Sequence, residues 1–270
     1  MGVATRGPAC VFANRQMQFI RHFHNAHQIL YVKGGAVKLT VGEHEYIARQ
    51  NCLMLISRME EHSIEVLEDE GKYLRYYIEL SPEQLNRMIP DPKLRSVFVS
   101  RAKNFCHVFD MSADAERVAR LFEEMHNNSN TEEPFRNEMM AAQLMQLMIM
   151  TYRLHPEQFP QPKKGVSSAI YQVQQYLDEH FAEDCSIADI AKEMFLSPYY
   201  LSHAFKEWTG YSPKQYMMLS RISCAKELLF STELTVSEIS TKCGFGDVSN
   251  FVRTFKKESG QTPEQYRRSL

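Results

Sequence analysis

The chain lacks a Cys-x-x-Cys pair, a Walker-type phosphate loop, a dinucleotide-binding glycine fingerprint and a Ser-His-Asp arrangement. These absences remove the commonest nucleotide-dependent and nucleophilic chemistries, and no catalytic residue is assigned. No run approaches the ~20 apolar residues of a membrane helix. The most apolar stretch, around Met139 to Met150, is interrupted by Gln143 and Gln146, so no membrane span is expected. The opening segment MGVATRGPACVFANR has no apolar core run, and no signal peptide is expected. The six cysteines (Cys10, Cys52, Cys106, Cys185, Cys224, Cys243) have no zinc-ligand spacing and read as buried free thiols of a cytoplasmic protein. An excess of positive charge is also missing. The net charge is −2, and the segment from Ala169 onward carries 11 Lys/Arg against 13 Asp/Glu. Bulk charge therefore does not argue for a nucleic-acid partner; any such argument rests on where particular cations sit.

What the chain does have is a degenerate internal repeat of about 50 residues near its C-terminal end. One copy begins at Ser186 and the other at Thr235. Both close on the same phrase: Phe205-Lys206, Gly210, Pro213, Tyr216 in the first, and Phe255-Lys256, Gly260, Pro263, Tyr266 in the second. In the second copy Thr235 and Glu238 have capping-box spacing. A short helix follows with Val236 and Ile239 inward and ends at Gly244. Phe245-Gly246 form a turn. A second helix runs from about Asp247 to Glu258, with Phe251 and Phe255 on one face. Gly260 stops it, and Thr262-Pro263 restart a helix. The first copy repeats this with Ser186/Asp189, Ile187/Ile190, Leu201/Phe205, Gly210 and Ser212-Pro213. The offset between copies changes from 49 to 50 through one extra residue in a turn. Two helices joined by a turn, doubled, suit two successive major grooves of double-stranded DNA.

With the core faces assigned, the outward faces of the second helices carry Tyr199, Tyr200, Ser202, His203 and Lys206 in one copy. In the other they carry Ser249, Asn250, Arg253, Thr254 and Lys256. These are hydrogen-bonding and cationic types that read base edges and hold phosphates. Lys257, Arg267 and Arg268 lie on the same presumed side. Between the copies, Pro213 to Ser231 has helical periodicity and spans roughly 27 Å at 1.5 Å per residue. That suits two reading heads about one DNA turn, roughly 34 Å, apart.

The words Ile190-Ala191, Tyr200-Leu201-Ser202, Phe205-Lys206, Gly210, Ser212-Pro213, Arg221, Gly244-Phe245, Phe255-Lys256, Thr262-Pro263 and Tyr266-Arg267 resemble the AraC-type (AraC/XylS) transcriptional regulators over about 100 residues. The resemblance implies that both helix-turn-helix units contact promoter DNA, with RNA polymerase as a partner and activation as the sign of regulation. His203 stands where such proteins often carry Arg, and Trp208 stands at a position usually polar, where packing accounts for it.

From Gln16 to Leu80 the chain reads as short strands between turns: QMQFI, QILYV, AVKLTV, EYIA, CLMLI, SIEVL and YLRYYIEL. Leu74, Tyr76, Ile78 and Leu80 form one alternating face. The segment containing His22, His24, His27, Gln28 and Tyr31, followed by His62, resembles a cupin-type barrel of the kind that precedes AraC-type DNA-binding units. His22, His24 and His62 stand for the histidines of metal-binding cupins, and Gln28 occupies the place of the acid. An amide coordinates a transition metal poorly beside imidazoles, so no metal or other cofactor is assigned. The ligand-binding set is His22, His24, Gln28, Tyr31 and His62. It suits a small-molecule effector, and by the resemblance a sugar; purely structural roles for these groups remain open. The rival from another class is a metal-dependent cupin enzyme with a helical C-terminal domain.

Ser81-Pro82 starts a helix. Val118, Leu121, Phe122 and Met125 form a helical stripe. A longer helix is expected over Glu133–Leu154, with Met140, Leu144, Leu147, Thr151 and Leu154 at 4-3-4-3 spacing. That stripe is either the seam of a homodimer or a face packed on the barrel. His155 to Ser167, with three prolines and a glycine, reads as an exposed linker. The expected organisation is therefore two domains. A cupin-like β-barrel (1–111) with an α-helical extension (112–155) precedes a linker (156–167) and an all-α DNA-binding domain with two helix-turn-helix motifs (168–270). The expected function is a ligand-controlled, DNA-binding regulator.

Overall fold

The computed structural model describes residues 8–14, 19–24, 26–99, 105–159, 166–209 and 211–268. The chain divides into two compact units, Met1–Pro162 and Lys163–Leu270. The first contains β1 (Cys10–Ala13), β2 (Phe19–His22), β3 (His27–Gly34), β4 (Ala36–Val41), β5 (His44–Arg49), β6 (Cys52–Ile56), β7 (His62–Val66) and β8 (Leu74–Leu80). These are followed by helices α1 (Pro82–Met88) and α2 (Pro92–Val99), strand β9 (Val108–Asp110), and helices α3 (Ala115–Ser129) and α4 (Arg136–Leu154).

All strand pairings are antiparallel, in two sheets of order β1-β8-β3-β6-β9 and β2-β7-β4-β5. The sheets face each other as a barrel that hydrogen bonds do not close. Strands β1 and β9 carry too few residues to show alternation and were not foreseen in the sequence. Residues 16–18 of the expected first strand lie outside the described residues; its remainder is β2.

Two cores sit on opposite faces of the five-stranded sheet. Leu30, Val32, Met54 and Ile56 pack between the sheets against Leu39, Ile64 and Val66. Ile29, Tyr31, Leu53, Leu55, Tyr76, Ile78 and Leu80 pack instead against α1–α4. Because side chains alternate across a strand, β3, β6 and β8 are buried on both faces. Ser81 caps α1 with a capping box to Gln84.

Helix α4 settles the two readings of its stripe. Met140, Leu144, Leu147 and Thr151 are at most 1% exposed and lie in the helix–sheet core. The stripe is a packing face and no dimer seam. A second set with the same 4-3-4-3 spacing, Phe135, Met139, Ala142, Gln146 and Ile149, faces solvent. The helix starts at Arg136 and not Glu133, because Pro134 disfavours helical backbone before it and Phe135 adopts φ 63°. The expected linker also departs from the sequence reading: Pro156–Gln158 form a 3-10 turn and Phe159 is buried in the first unit's core. Residues 160–165 lie outside the described residues.

The second unit is all helical: α5 (Val166–Glu179), α6 (Ile187–Glu193), α7 (Pro198–Thr209), α8 (Pro213–Ser231), α9 (Val236–Lys242), α10 (Val248–Ser259) and α11 (Pro263–Arg268). Helix α5 opens at Val166, two residues before the expected start. The start-to-start offset is 49 for the first helices of the repeat (187 to 236) and 50 for the second (198 to 248). The added residue therefore lies in the turn before α10. The closing phrase of each copy is one aromatic brace, Phe205–Tyr216 at 5.3 Å and 81°, Phe255–Tyr266 at 5.6 Å and 76°. Gly210 and the side chain of Trp208 lie outside the described residues.

The copies differ at two places. Thr235 and Glu238 form the expected capping box, but Ser186 makes no side-chain cap bond; its partner Asp189 is one methylene shorter than the Glu or Gln such a box uses. At the left-handed residue that ends each first helix, the second copy has Gly244 (φ 77°) and the first has Phe195 (φ 55°), 97% exposed. A Cβ on Gly244 would overlap the Ala182 carbonyl oxygen.

The two positions should respond with opposite signs. Gly244→Ala is expected to destabilise the chain by about 2–4 kcal/mol through backbone strain and overlap. Phe195→Gly should leave stability unchanged or raise it by up to about 1 kcal/mol, because it relieves strain without losing packing. Urea unfolding of both variants followed by circular dichroism measures this; equal destabilisation would contradict it.

Candidate DNA interface and effector cavity

The outer faces of α7 and α10 are exposed because their inner faces are committed. Leu201, Phe205, Phe251 and Phe255 are all fully buried. In α7, Tyr199, Tyr200, His203 and Lys206 are exposed and Ser202 is half-buried. Tyr199 stacks on His203 at 6.4 Å and 26°. In α10, Ser249, Arg253 and Lys256 are exposed, while Asn250 and Thr254 are half-buried. Asp247 caps α10 by accepting from the Ser249 and Asn250 amides. Asn250 Oδ1 accepts from Arg253 Nη2 at 3.2 Å, which steadies the guanidinium one turn along the helix.

Two cations turn inward. Arg267, expected on the DNA side, donates through Nη2 to the Leu234 carbonyl. Arg221 donates to the carbonyls of Phe181 and Glu183 at 2.6 and 2.8 Å. Both tie helix ends together inside the unit.

In the first unit a cavity of about 460 Å³ opens between the sheets. Its polar lining is Asn14, His22, Gln28, His62, Arg75, Tyr77 and Glu79, with Val11, Phe12, Leu30 and Ile64 among the apolar walls. Gln28 Nε2 donates to Glu79 Oε1 at 2.8 Å. The Arg75 guanidinium, 6% exposed, lies over the rings of Tyr73 (5.2 Å) and Tyr77 (5.9 Å), a favourable setting for a planar cation. Burial pushes the Tyr73 hydroxyl up to about 12.

The expected ligand set is only partly brought together. His22, Gln28 and His62 line the cavity, and His24 clusters with the two histidines. Tyr31 does not join them. It lies on the opposite face of β3, stacked on Phe122 at 4.9 Å and bonded to Asn51 Oδ1. The sequence reading also missed Arg75, Tyr77 and Glu79. They alternate with Leu74, Tyr76, Ile78 and Leu80 along β8, and polar residues in that phase look solvent-facing unless a second sheet covers them. All six cysteines are free; only Cys10 and Cys243 are buried, and the other four are half-buried, contrary to the expectation.

Two family descriptions match. The AraC-like ligand binding domain covers residues 7–148, and a helix-turn-helix domain covers 190–269. The HTH-type transcriptional activator RhaS of Enterobacter sp. strain 638 is 23% identical over 93% of this chain and 88% of its own length. The uncharacterized HTH-type transcriptional regulator YijO of Escherichia coli K12 is 34% identical, but over 38% of this chain and 36% of its own length. The match to the regulatory protein PocR of Salmonella typhimurium likewise spans 31% of that protein. Among solved structures, ToxT from Vibrio cholerae has the same fold, with a TM-score of 0.65 at 16% identity over 97% of this chain and 98% of its own. No helix among the described residues is long and apolar enough to cross a membrane.

The two cations of α10 are expected to behave differently. Arg253→Ala should cost about 1–3 kcal/mol of specific affinity if the guanidinium reads a base. Lys256→Ala should weaken all sequences alike and reduce the salt slope by about one unit, as loss of one phosphate contact does. Equilibrium binding at several salt concentrations, on cognate and scrambled DNA, distinguishes the two; an unaltered Arg253→Ala affinity would reject the base contact.

Proposed function

The chain belongs to the AraC family of transcriptional regulators, and from that premise we propose that it is a cytoplasmic promoter-binding activator, controlled by an oxygen-rich small molecule held between the sheets of its first unit. The observation that carries the DNA assignment is the pair of exposed helix faces, 199–206 and 249–256, each backed by a buried phenylalanine in the same edge-to-face brace with a tyrosine. Activation is supported by the transcriptional activator RhaS, similar along nearly the whole chain; RNA polymerase is the partner that activation at a promoter would engage. Residues 1–111 would sense the effector, 112–155 would carry subunit contacts, and 168–270 would bind DNA. An effector switches such a protein only by binding one of its states better than another.

The cavity volume falls within the range of small-molecule sites. Asn14, Gln28, Glu79 and the histidines supply donors and acceptors for a hydroxyl-rich ligand, which supports a sugar. The buried Arg75 adds a fork suited to a carboxylate, so a sugar acid fits the same lining. One structure of ToxT contains an unsaturated fatty acid; that ligand class serves as the contrasting probe. The full-length chain should melt higher with a neutral or acidic sugar, by about 2.7 kcal/mol of added stability at 100 times Kd. Arg75→Gln should abolish the response to an acid and spare that to a neutral sugar. Stabilisation by the fatty acid alone would overturn the sugar reading.

A homodimer is supported by the solvent-facing Phe135, Met139 and Ile149, which are 77%, 55% and 37% exposed on one side of α4. The double variant Met139→Glu/Ile149→Glu should sediment as a monomer with an unchanged melting temperature. A dimer that persists in that variant would remove α4 from the interface.

A further inference from the structure

Two cysteines of the helical unit meet inside it. Cys224 lies on α8, and Cys243 is the residue that ends α9. Both belong to one apolar cluster. Cys243 is fully buried with Ile239, Phe245 and Phe251, and the half-buried Cys224 packs against them. The two side chains share a hydrogen bond. That bond draws the Cys224 thiol below its ordinary value, against burial and the Glu227 charge and with Lys242 adding to it. The same bond, together with burial, pushes the Cys243 thiol up. Cys243 is therefore the donor, and the accepting Cys224 sulfur holds the thiolate character. Cys10, Cys106 and Cys185 donate instead to backbone carbonyls, at 3.7, 3.1 and 3.6 Å. Redox-reactive thiols combine thiolate character, partial exposure and a second sulfur within reach. This pair has all three.

We propose that Cys224 and Cys243 form a reversible disulfide on reaction with a peroxide, and that this bond weakens promoter binding by disturbing the turn that aims α10. The Cys224 thiolate attacks one peroxide oxygen and breaks the O–O bond; the other oxygen takes a proton and leaves as water or an alcohol. Cys224 is then a sulfenic acid. The Cys243 sulfur attacks it, the S–S bond forms, and the hydroxide leaves with the Cys243 proton as water. Each sulfur gives up one electron, and the peroxide takes both. A covalent S–S bond is shorter than a hydrogen-bonded sulfur pair, so it draws the end of α9 toward α8. Gly244 follows Cys243 directly, at φ 77° and against the Ala182 backbone. Phe245 comes next and contacts Phe251 of α10 at 5.0 Å. A shift at Cys243 therefore reaches Phe251 and, two positions on, Arg253. Disulfides of a reducing compartment are of this transient, sensing kind. Only the consequence for promoter binding rests on the regulatory reading; the thiol chemistry does not.

The test compares reduced full-length protein with the same protein treated with hydrogen peroxide. Trypsin cuts after Arg221, Lys226, Lys242 and Arg253, so the two cysteines leave on separate peptides, 222–226 and 243–253. Oxidation should join those peptides, remove two of the six free thiols, and lower the affinity for genomic duplex fragments selected by the reduced protein. Dithiothreitol should reverse all three changes. Cys224→Ala should lose no thiol and keep its DNA affinity under the same treatment. Cys243→Ala should stop at the Cys224 sulfenic acid, which a 1,3-dione traps with a mass gain on peptide 222–226. Cys224 is only half-buried, so its variant keeps the test valid should Cys243→Ala not fold. Oxidation that joins other cysteines, such as Cys52 with Cys106, would overturn the proposal. So would a Cys224–Cys243 disulfide that leaves DNA affinity untouched. Reduced protein that retains no DNA would sink the regulatory reading and with it the consequence for α10, while peptide mapping still decides the thiol chemistry.

Discussion

The first unit depends on a single constraint, the burial of its larger sheet on both sides. Strands β3, β6 and β8 send alternate residues to a helical layer and to a second sheet. One set of side chains stabilises the fold through apolar burial, at roughly 25 cal/mol per Å². The other set is freed from that task only where the sheets part, and there it becomes cavity lining. Tyr76, Ile78 and Leu80 hold the helices down while Arg75, Tyr77 and Glu79 line the cavity. Cavity-lining residues are thereby interleaved with structural ones, one position apart along the same strand.

The helical unit solves the equivalent problem with a different period. Helices α7 and α10 each have one face fixed by fully buried side chains, Leu201 and Phe205 in one and Phe251 and Phe255 in the other, and an edge-to-face contact to Tyr216 or Tyr266 braces each against the helix that follows. The residues left outside are those with hydrogen-bonding heads. A net-acidic segment still presents Lys206, Arg253 and Lys256 on the outside, while Arg221 and Arg267 are withdrawn to satisfy carbonyl groups.

Most of the second unit was legible in the sequence because its signals are local. Capping boxes, glycine stops and four-residue aromatic spacing each involve neighbours in the chain, and the repeat displays them twice. Asp189 occupies the place of a capping glutamate but is too short to close the box. The stripe Met140–Leu144–Leu147–Thr151 had a periodicity that fits a partner helix and a sheet equally, and only tertiary packing decides between them. Tyr31 was placed in the site by proximity along the chain, although odd and even positions of a strand face opposite ways. Arg75 and Glu79 were hidden because a polar residue in a strand ordinarily marks solvent. The histidines were visible as residue types, but the meeting of His22, His24 and His62 in one cluster is a property of the folded backbone.

The unequal residues at the two first-helix stops make the tandem reader mechanically lopsided. Gly244 sits wedged against Ala182, so its elbow is relaxed and hemmed in. Phe195 holds the same bend against its own side-chain sterics, with the ring bare to water and no cap bond at the start of its helix. The leading half-reader is accordingly the more readily loosened of the two.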